Sequence, residues 1–392
     1  MARGIRTVRR PGDADSPAFD LAYVREHEGA SSVPVGVIPG GPGLASIRVY
    51  AGFRRSAPDL DLLMVEHRGV GHSRKDLTGA DLPPSAMTVT AAVDDIAAVL
   101  NAEHIDRAVI VGSSYGTYLA QGFGIRHPER VHAMVLDSTM LSAEDHHEVR
   151  AHARSLLWEG ESAGTAAAAA QIRTLVEDRG IDPLPLGLTS AVLYDLAGPE
   201  RLERYLGTRT HPRTGLIDVA LRTFHDGGLT RPIRYVMEFD LVGHLAMREL
   251  QFAPEPDGLI FDPAYETAAL ADRFPAYQGE PFDLPAALPH FDWPLVVLSG
   301  ERDLQTPPSL GLRAAELAPQ GRFIDLPGVG HGALEAHPAA LLAAVRELVT
   351  GRSAGLQGLA RSGLVRHLAP VVGGLLVIDR VWLTVAGAGP WG

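Results

Sequence analysis

Six short apolar runs punctuate this chain, each rich in branched side chains and each stopped by glycine, proline or serine. They are VPVGVIPG from Val33, LLMVEHRG from Leu62, AVIVGSS from Ala108, HAMVLDS from His132, PLVVLSG from Pro294 and RFIDLPG from Arg322. Apolar runs of this length suit strands covered on both faces. Between them lie stretches with helical periodicity. TAAVDDIAAVLNAEHI, from Thr90, sets Ala92, Ile96, Val99 and Leu100 on one face and carboxylates on the other. YLAQGFGIRHPER follows the third run, and Pro128 marks the end of its helix. Strands alternating with helices predict an α/β chain with a parallel sheet built from βα units.

The alternation stops after Asp137 and resumes near Pro294. The stretch between opens with an alanine-rich helix from Ala166 to Val176 and is then broken into shorter pieces at Pro183, Pro185, Pro199, Pro212 and Pro232. The expected organisation is a core of residues 1–140 and 290–350, a mainly helical cap of residues 141–289 over the sheet, and an extension of residues 351–392 packed on the core. Within that extension LAPVVGGLLVI (368–378) is the most apolar run, with Asp379 directly after it. A membrane-spanning helix needs roughly 20 apolar residues, so this run reads as a buried strand or hairpin.

The balance of 35 basic against 47 acidic residues, net −12, argues against nucleic acid or an anionic membrane as a partner. With no cysteine there is no disulfide, thiolate metal site or cysteine nucleophile. MARGIRTVRRPGDADS is basic but lacks an apolar segment after its arginines, which predicts a cytoplasmic protein without a secretory signal. No metal or organic cofactor is expected. RHPER and EDHHEV are spaced as surface helix, and the adjacent His146 and His147 should diverge by about 100° on a helix.

One polar segment stands where strand should give way to helix. Gly112, Ser114 and Gly116 form G-x-S-x-G at the end of AVIVGSS. A nucleophile on such a turn projects its hydroxyl from the backbone, and the flanking positions must lack a Cβ that would collide with strand and helix. Ser114 is therefore the candidate nucleophile, and Ser113 its ordinary neighbour. A serine hydroxyl needs a base, and the base an orienting acid.

Of 16 histidines, His331 in LPGVGHGALEAHP lies in a glycine-flanked loop after the last strand, at the sheet's carboxyl edge. His337, six residues on, is expected to be solvent-exposed. The candidate acid is Asp303 in VVLSGERDLQTP, with Glu301 as its solvated neighbour and Asp137 as its rival. Oxyanion amides are expected from Tyr115, which opens the helix after Ser114, and from Gly41 in the loop Pro39-Gly40-Gly41-Pro42-Gly43.

Taken together, GGPG, RGVGHS, GSSYG, GERD and GVGHG make the chain resemble the α/β-hydrolase superfamily, and within it the proline iminopeptidase and tripeptidyl aminopeptidase branch. The motifs that carry the resemblance fall within residues 33–140 and 293–350. That branch has a GGPG oxyanion loop, a D-x-R-G-x-G-x-S segment and a G-x-S-Y-G elbow. This chain departs from it at Pro39, where histidine is usual, and at Glu66, where aspartate is usual. The resemblance implies a mostly parallel eight-stranded sheet flanked by helices, with the cap entering after strand 6. It also implies acyl-enzyme chemistry on short peptides, with cap carboxylates holding a free amino group. Glu238, Asp240 and Glu249 are the candidates for that role. Two other functions compete: a carboxylesterase or other small-molecule ester or amide hydrolase, since the same triad serves both bonds, and a non-catalytic ligand-binding protein on the same fold.

Overall fold

Alternate residues of the central strands part to opposite sides of a single sheet. The computed structural model describes residues 4–209, 231–352 and 355–360. Met64, Val37, Val111, Val135 and Val296 stand in cross-strand register and share one face, while Ile110, Met134 and Leu295 share the other. Both faces are covered by helices, which explains why these strands read as unbroken apolar runs. Burying each such side chain contributes roughly 1.5–3 kcal/mol.

The sheet has eight strands in the order β1-β2-β4-β3-β5-β6-β7-β8. These are β1 (Ile5–Arg10), β2 (Phe19–Glu26), β3 (Val35–Ile38), β4 (Leu62–Val65), β5 (Ala108–Ser113), β6 (Val131–Asp137), β7 (Leu295–Gly300) and β8 (Gly321–Leu326). β3 to β8 pair in parallel, and β2 pairs antiparallel with both β1 and β4. The parallel strands therefore end at one common edge, where open α/β sheets place their sites. The hairpin of β1 and β2 lies outside the six apolar runs. β1 is an edge strand whose arginines are spent on ion pairs, Arg6 with Glu103 at 2.6 Å and Arg10 with Asp95 at 2.7 Å. Charge along an edge strand deters pairing with other chains, and it also hides the strand from an apolar-run search.

Helices of eight or more residues are numbered in chain order. α1 (Val89–Ala102) buries Ala92, Ile96, Val99 and Leu100, as its periodicity predicts, but the carboxylate Asp95 is buried too, held by Arg68 at 2.7 and 2.8 Å. The helix starts at Thr88, whose hydroxyl accepts the Ala91 amide at 3.2 Å. α2 (Tyr115–Arg126) packs against it, and the remaining core helices are α9 (Pro308–Leu317) and α10 (Pro338–Thr350). Between β6 and β7 the described elements are helical: α3 (His146–Arg154), α4 (Ala166–Arg173), α5 (Pro183–Ala197), α6 (Pro199–Gly207), α7 (Phe239–Leu250) and α8 (Ala264–Ala271). Their own apolar cluster includes Leu157, Ile172, Leu193, Leu202 and Tyr205.

The cap pieces do divide at Pro183 and Pro199, and each proline opens the next helix, because proline at the first helical position lacks only an amide that would have no partner anyway. One expectation needs correction. His337 is buried, not exposed: its Nδ1 accepts the Ala340 amide at the start of α10. Pro212 and the apolar run 368–378, with most of the proposed extension 351–392, lie outside the described residues. Among the described residues no helix is long and apolar enough to cross a membrane.

Candidate active site

β5 ends in a turn too tight for side chains on its flanks. A Cβ on Gly112 would stand 2.4 Å from the carbonyl oxygen of Gly116, and one on Gly116 would stand 2.2 Å from that of Ile38. Ser114 sits between them at φ 53°, ψ −123°, a conformation that a non-glycine residue holds only when its surroundings impose it. Ser113 points the other way, its hydroxyl donating to Asp137 at 2.8 Å.

The structure brings Ser114, His331 and Asp303 together from the ends of β5, β8 and β7. His331 Nε2 lies 2.9 Å from Ser114 Oγ. His331 Nδ1 lies 3.0 Å from each Asp303 oxygen. A carboxylate only accepts, so the proton sits on Nδ1 and leaves Nε2 to accept from the serine hydroxyl. Asp303 is fully buried and is held by the Gln305 amide (2.9 Å), the Thr306 amide (2.8 Å) and the Thr306 hydroxyl (2.8 Å). This side-chain turn is legible in D-x-x-T once the aspartate is singled out.

Burial alone would lower the basicity of His331, but Asp303, Asp195 and Asp137 outweigh it and push the imidazole up to about 9. Burial likewise opposes the charge on Asp303, and the facing imidazole wins, keeping the carboxyl below its usual range.

Asp137, the rival acid, lies elsewhere. Its carboxylate accepts from the Ala333 amide at 2.7 Å, the Leu334 amide at 2.9 Å and Ser113. It holds the chain just after His331 without meeting the ring. Glu301 is exposed and accepts the Gly328 amide at 2.7 Å.

Tyr115 is the first residue of α2, so its amide has no partner within the helix and lies at the positive end of the dipole. Its phenol is buried and lies 3.0 Å from His67 Nε2. Burial pushes the His67 imidazole down to about 4, leaving it neutral. Its Nδ1 donates to the Arg68 carbonyl at 2.6 Å, so Nε2 accepts from the tyrosine.

The loop 39–43 lies against Ser114: a Cβ on Gly40 would stand 3.1 Å from the serine Cβ. Gly41 and Ser114 both line a cavity of about 450 Å³. Glu66 is spent on structure, accepting from the Ile47 amide (2.9 Å) and the Ser46 hydroxyl (3.2 Å).

The cap carboxylates chosen for substrate are a correction. Glu238 is fully buried, taking the Gly71 amide at 2.7 Å, the Tyr235 amide at 2.9 Å and an ion pair with Arg234. Asp240 is held by both terminal nitrogens of Arg74 at 2.8 and 2.7 Å. Glu249 accepts the Val89 amide at 2.8 Å and pairs with Arg248. None of the three lines the cavity. The carboxylates that do are Asp145, Asp195 and Asp262.

Asp262 is paired with Arg150 at 2.8 Å. Asp145 accepts the Leu141 amide at 2.7 Å and the Ser142 amide at 3.1 Å, and among the described residues it faces no cationic partner. Burial, with Glu280 and Glu148 nearby, pushes its carboxyl up to about 6. His146 also lines the cavity, and its ring lies 4.1 Å from that of His147, so the pair does not splay as expected. The rest of the wall is largely apolar, including Val149, Leu184, Leu188, Val192, Phe252 and Phe261.

Comparison with known proteins agrees with this architecture. Residues 33–175 match the family model described as the alpha/beta hydrolase fold. A curated proline iminopeptidase from Heyndrickxia coagulans is 26% identical over 132 residues, 34% of this chain and 44% of that protein, so the match spans less than half of the relative's length. Among solved structures, a proline iminopeptidase from Mycobacterium smegmatis matches with a TM-score of 0.51 at 18% identity, over 88% of this chain and 99% of that one. A thermophilic esterase from Thermogutta terrifontis matches with a TM-score of 0.46 at 19% identity, over 88% of this chain and 100% of that one. At such identities the structural likeness is one of fold.

Proposed function

We propose that this chain, whose residues 33–175 match the family model of the alpha/beta hydrolase fold, is a serine hydrolase working through an acyl-enzyme. The observation that carries this reading is the continuous relay from Ser114 Oγ to His331 Nε2 at 2.9 Å and from His331 Nδ1 to Asp303 at 3.0 Å. As the serine oxygen attacks a carbonyl carbon, its proton passes to Nε2, and Asp303 stabilises the imidazolium that forms. The amides of Gly41 and Tyr115 receive the negative charge on the carbonyl oxygen. The imidazolium then protonates the leaving group, and a water activated by the same imidazole releases the acyl group.

Within that chemistry the preferred reading is an aminopeptidase of the proline iminopeptidase type acting on short peptides. Asp145 supports it: a carboxylate on the cavity wall with no cationic partner among the described residues favours a substrate that brings its own ammonium. The largely apolar remainder of the wall favours a second reading, a carboxylesterase for substrates with a bulky apolar group.

One panel separates them. Aminoacyl-naphthylamides, their N-blocked forms and p-nitrophenyl esters are compared on one preparation. The peptidase reading expects cleavage of the free-amine amides and loss of it on N-blocking. Turnover of esters alone, indifferent to a free amine, rejects it in favour of the esterase. A fluorophosphonate probe should label the wild-type protein and not Ser114→Ala, and an unlabelled wild type would defeat both readings.

A further inference from the structure

The loop that carries His331 is held from two sides by different parts of the molecule. From the core, the Ser138 hydroxyl accepts the Gly332 amide at 2.9 Å, and Asp137 accepts the next two amides. The amide of His331 itself goes to the cap: it donates to Asp195 Oδ1 at 2.9 Å. Asp195 lies near the carboxyl end of α5, is buried, and also lines the cavity. The helix comes so near that a Cβ on Gly330 would stand 2.3 Å from the Asp195 carbonyl oxygen and 2.8 Å from its carboxyl carbon. The glycine before His331 is thus kept bare for a cap helix more than 130 residues earlier in the chain.

We infer that Asp195 is a positioning residue for the imidazole, through which the seating of the cap helix α5 sets the placement of His331 against Ser114. The inference rests on the serine hydrolase reading above. It makes the cap part of the apparatus that aligns the base, in addition to a wall for substrate. A base held through its own backbone amide is sensitive to small shifts, since about 1 Å of misplacement can cost a hundredfold in rate.

Charge gives a separate readout. Asp195 is raised to about 7 by burial and by Asp303, against His331 and Arg302, with the Tyr194 phenol also nearby. The imidazolium of His331 is in turn favoured by Asp303, Asp195 and Asp137, while Glu335 packs beneath the loop. Removing the charge of Asp195 while keeping its acceptor oxygen should make the imidazolium easier to deprotonate, even though the loop stays in place.

The test compares Asp195→Asn and Asp195→Ala with wild type, using p-nitrophenyl acetate hydrolysis across pH and fluorophosphonate labelling. Asp195→Asn, which keeps an acceptor oxygen, should lose less kcat than Asp195→Ala and move the rising limb of its pH profile to lower pH. Asp195→Ala should lose about tenfold to a hundredfold in kcat, with KM changed less than kcat. The inference is overturned if folded Asp195→Ala, checked by circular dichroism, keeps wild-type kcat. Should Asp195→Ala fail to fold, Asp195→Leu, which removes the acceptor but keeps the volume, takes its place: a comparable loss of kcat supports the inference and wild-type kcat overturns it. An unlabelled, inactive wild type would instead defeat the hydrolase reading on which this one stands.

Discussion

The carboxyl edge of the sheet and the cap enclose the same cavity but are held together by different kinds of contact. At the edge, backbone meets backbone: a Cβ on Gly116 would run into the Ile38 carbonyl at 2.2 Å. In the cap, Gly243 is approached by side chains instead: a Cβ there would meet the rings of Phe274 and Phe239 at 2.6–2.8 Å. Two cap carboxylates are likewise tied to arginine side chains, Asp262 to Arg150 and Asp240 to Arg74. Backbone atoms cannot move without the sheet, whereas side chains can change rotamer. The edge is thus a fixed template for Ser114, His331 and Asp303, and the cap can alter its cavity wall without disturbing them, except where Asp195 joins the two.

The sharpest way to break this contrast is at the reacting atoms. Ser114→Ala and His331→Ala should each lower kcat by at least about 10⁴-fold, and Ser114→Ala should leave the melting temperature within a few degrees of wild type. A smaller loss would move the chemistry away from this edge.

Next comes the glycine comparison. Gly116→Ala should destabilise by more than about 3 kcal/mol, or prevent folding, because only backbone stands in the way. Gly243→Ala should cost about 1–3 kcal/mol as the phenyl rings repack. Equal denaturation midpoints for the two would remove the distinction between template and wall.

Asp145→Asn addresses the wall alone. It should raise KM for free-amine substrates about tenfold and leave p-nitrophenyl ester hydrolysis nearly unchanged. Glu238→Gln should do the reverse, lowering stability by about 1–3 kcal/mol in a urea titration with KM unaltered, since its carboxylate serves the Gly71 and Tyr235 amides.

The pH dependence is the mildest effect, and its sign follows from His331. The base must be neutral to accept the serine proton, so kcat/KM should rise as pH increases through the raised value near 9, above the ordinary 6.5. The stabilisation gained from the imidazolium and its carboxylates runs the opposite way. It is complete below 6.5, the ordinary value, and is lost as pH rises through about 9. A pH–rate profile and urea midpoints at matched pH values check both limbs.

Local patterns carried much of the fold. AVIVGS and LVVLSG are legible as strands because every residue in them is buried, and burial on two faces leaves no polar alternation to blur the signal. Ser114, Asp303 and His331 were legible because each stands at the end of such a strand, in a turn whose glycines or Asx geometry leave a mark within a few residues. The β1 strand was not legible that way, since its alternating arginines answer to Glu103 and Asp95, about 85 or more residues downstream. The cap carboxylates were misread for a related reason. Nothing in YVMEFDLVGH discloses that Glu238 will meet the Gly71 amide, or Asp240 the Arg74 guanidinium.

By itself, then, the order of residues determined which segments become parallel strands and which turns present a hydroxyl, an imidazole and a carboxylate at their ends, because those outcomes depend on burial periodicity and backbone sterics over a handful of neighbours. Only the tertiary structure decided which carboxylates face the cavity, that Asp137 braces the histidine loop instead of orienting its ring, and that a helix of the cap takes the backbone amide of His331. Each of those depends on which distant group arrives within about 3 Å, a distance that chain packing sets and that no short stretch of sequence records.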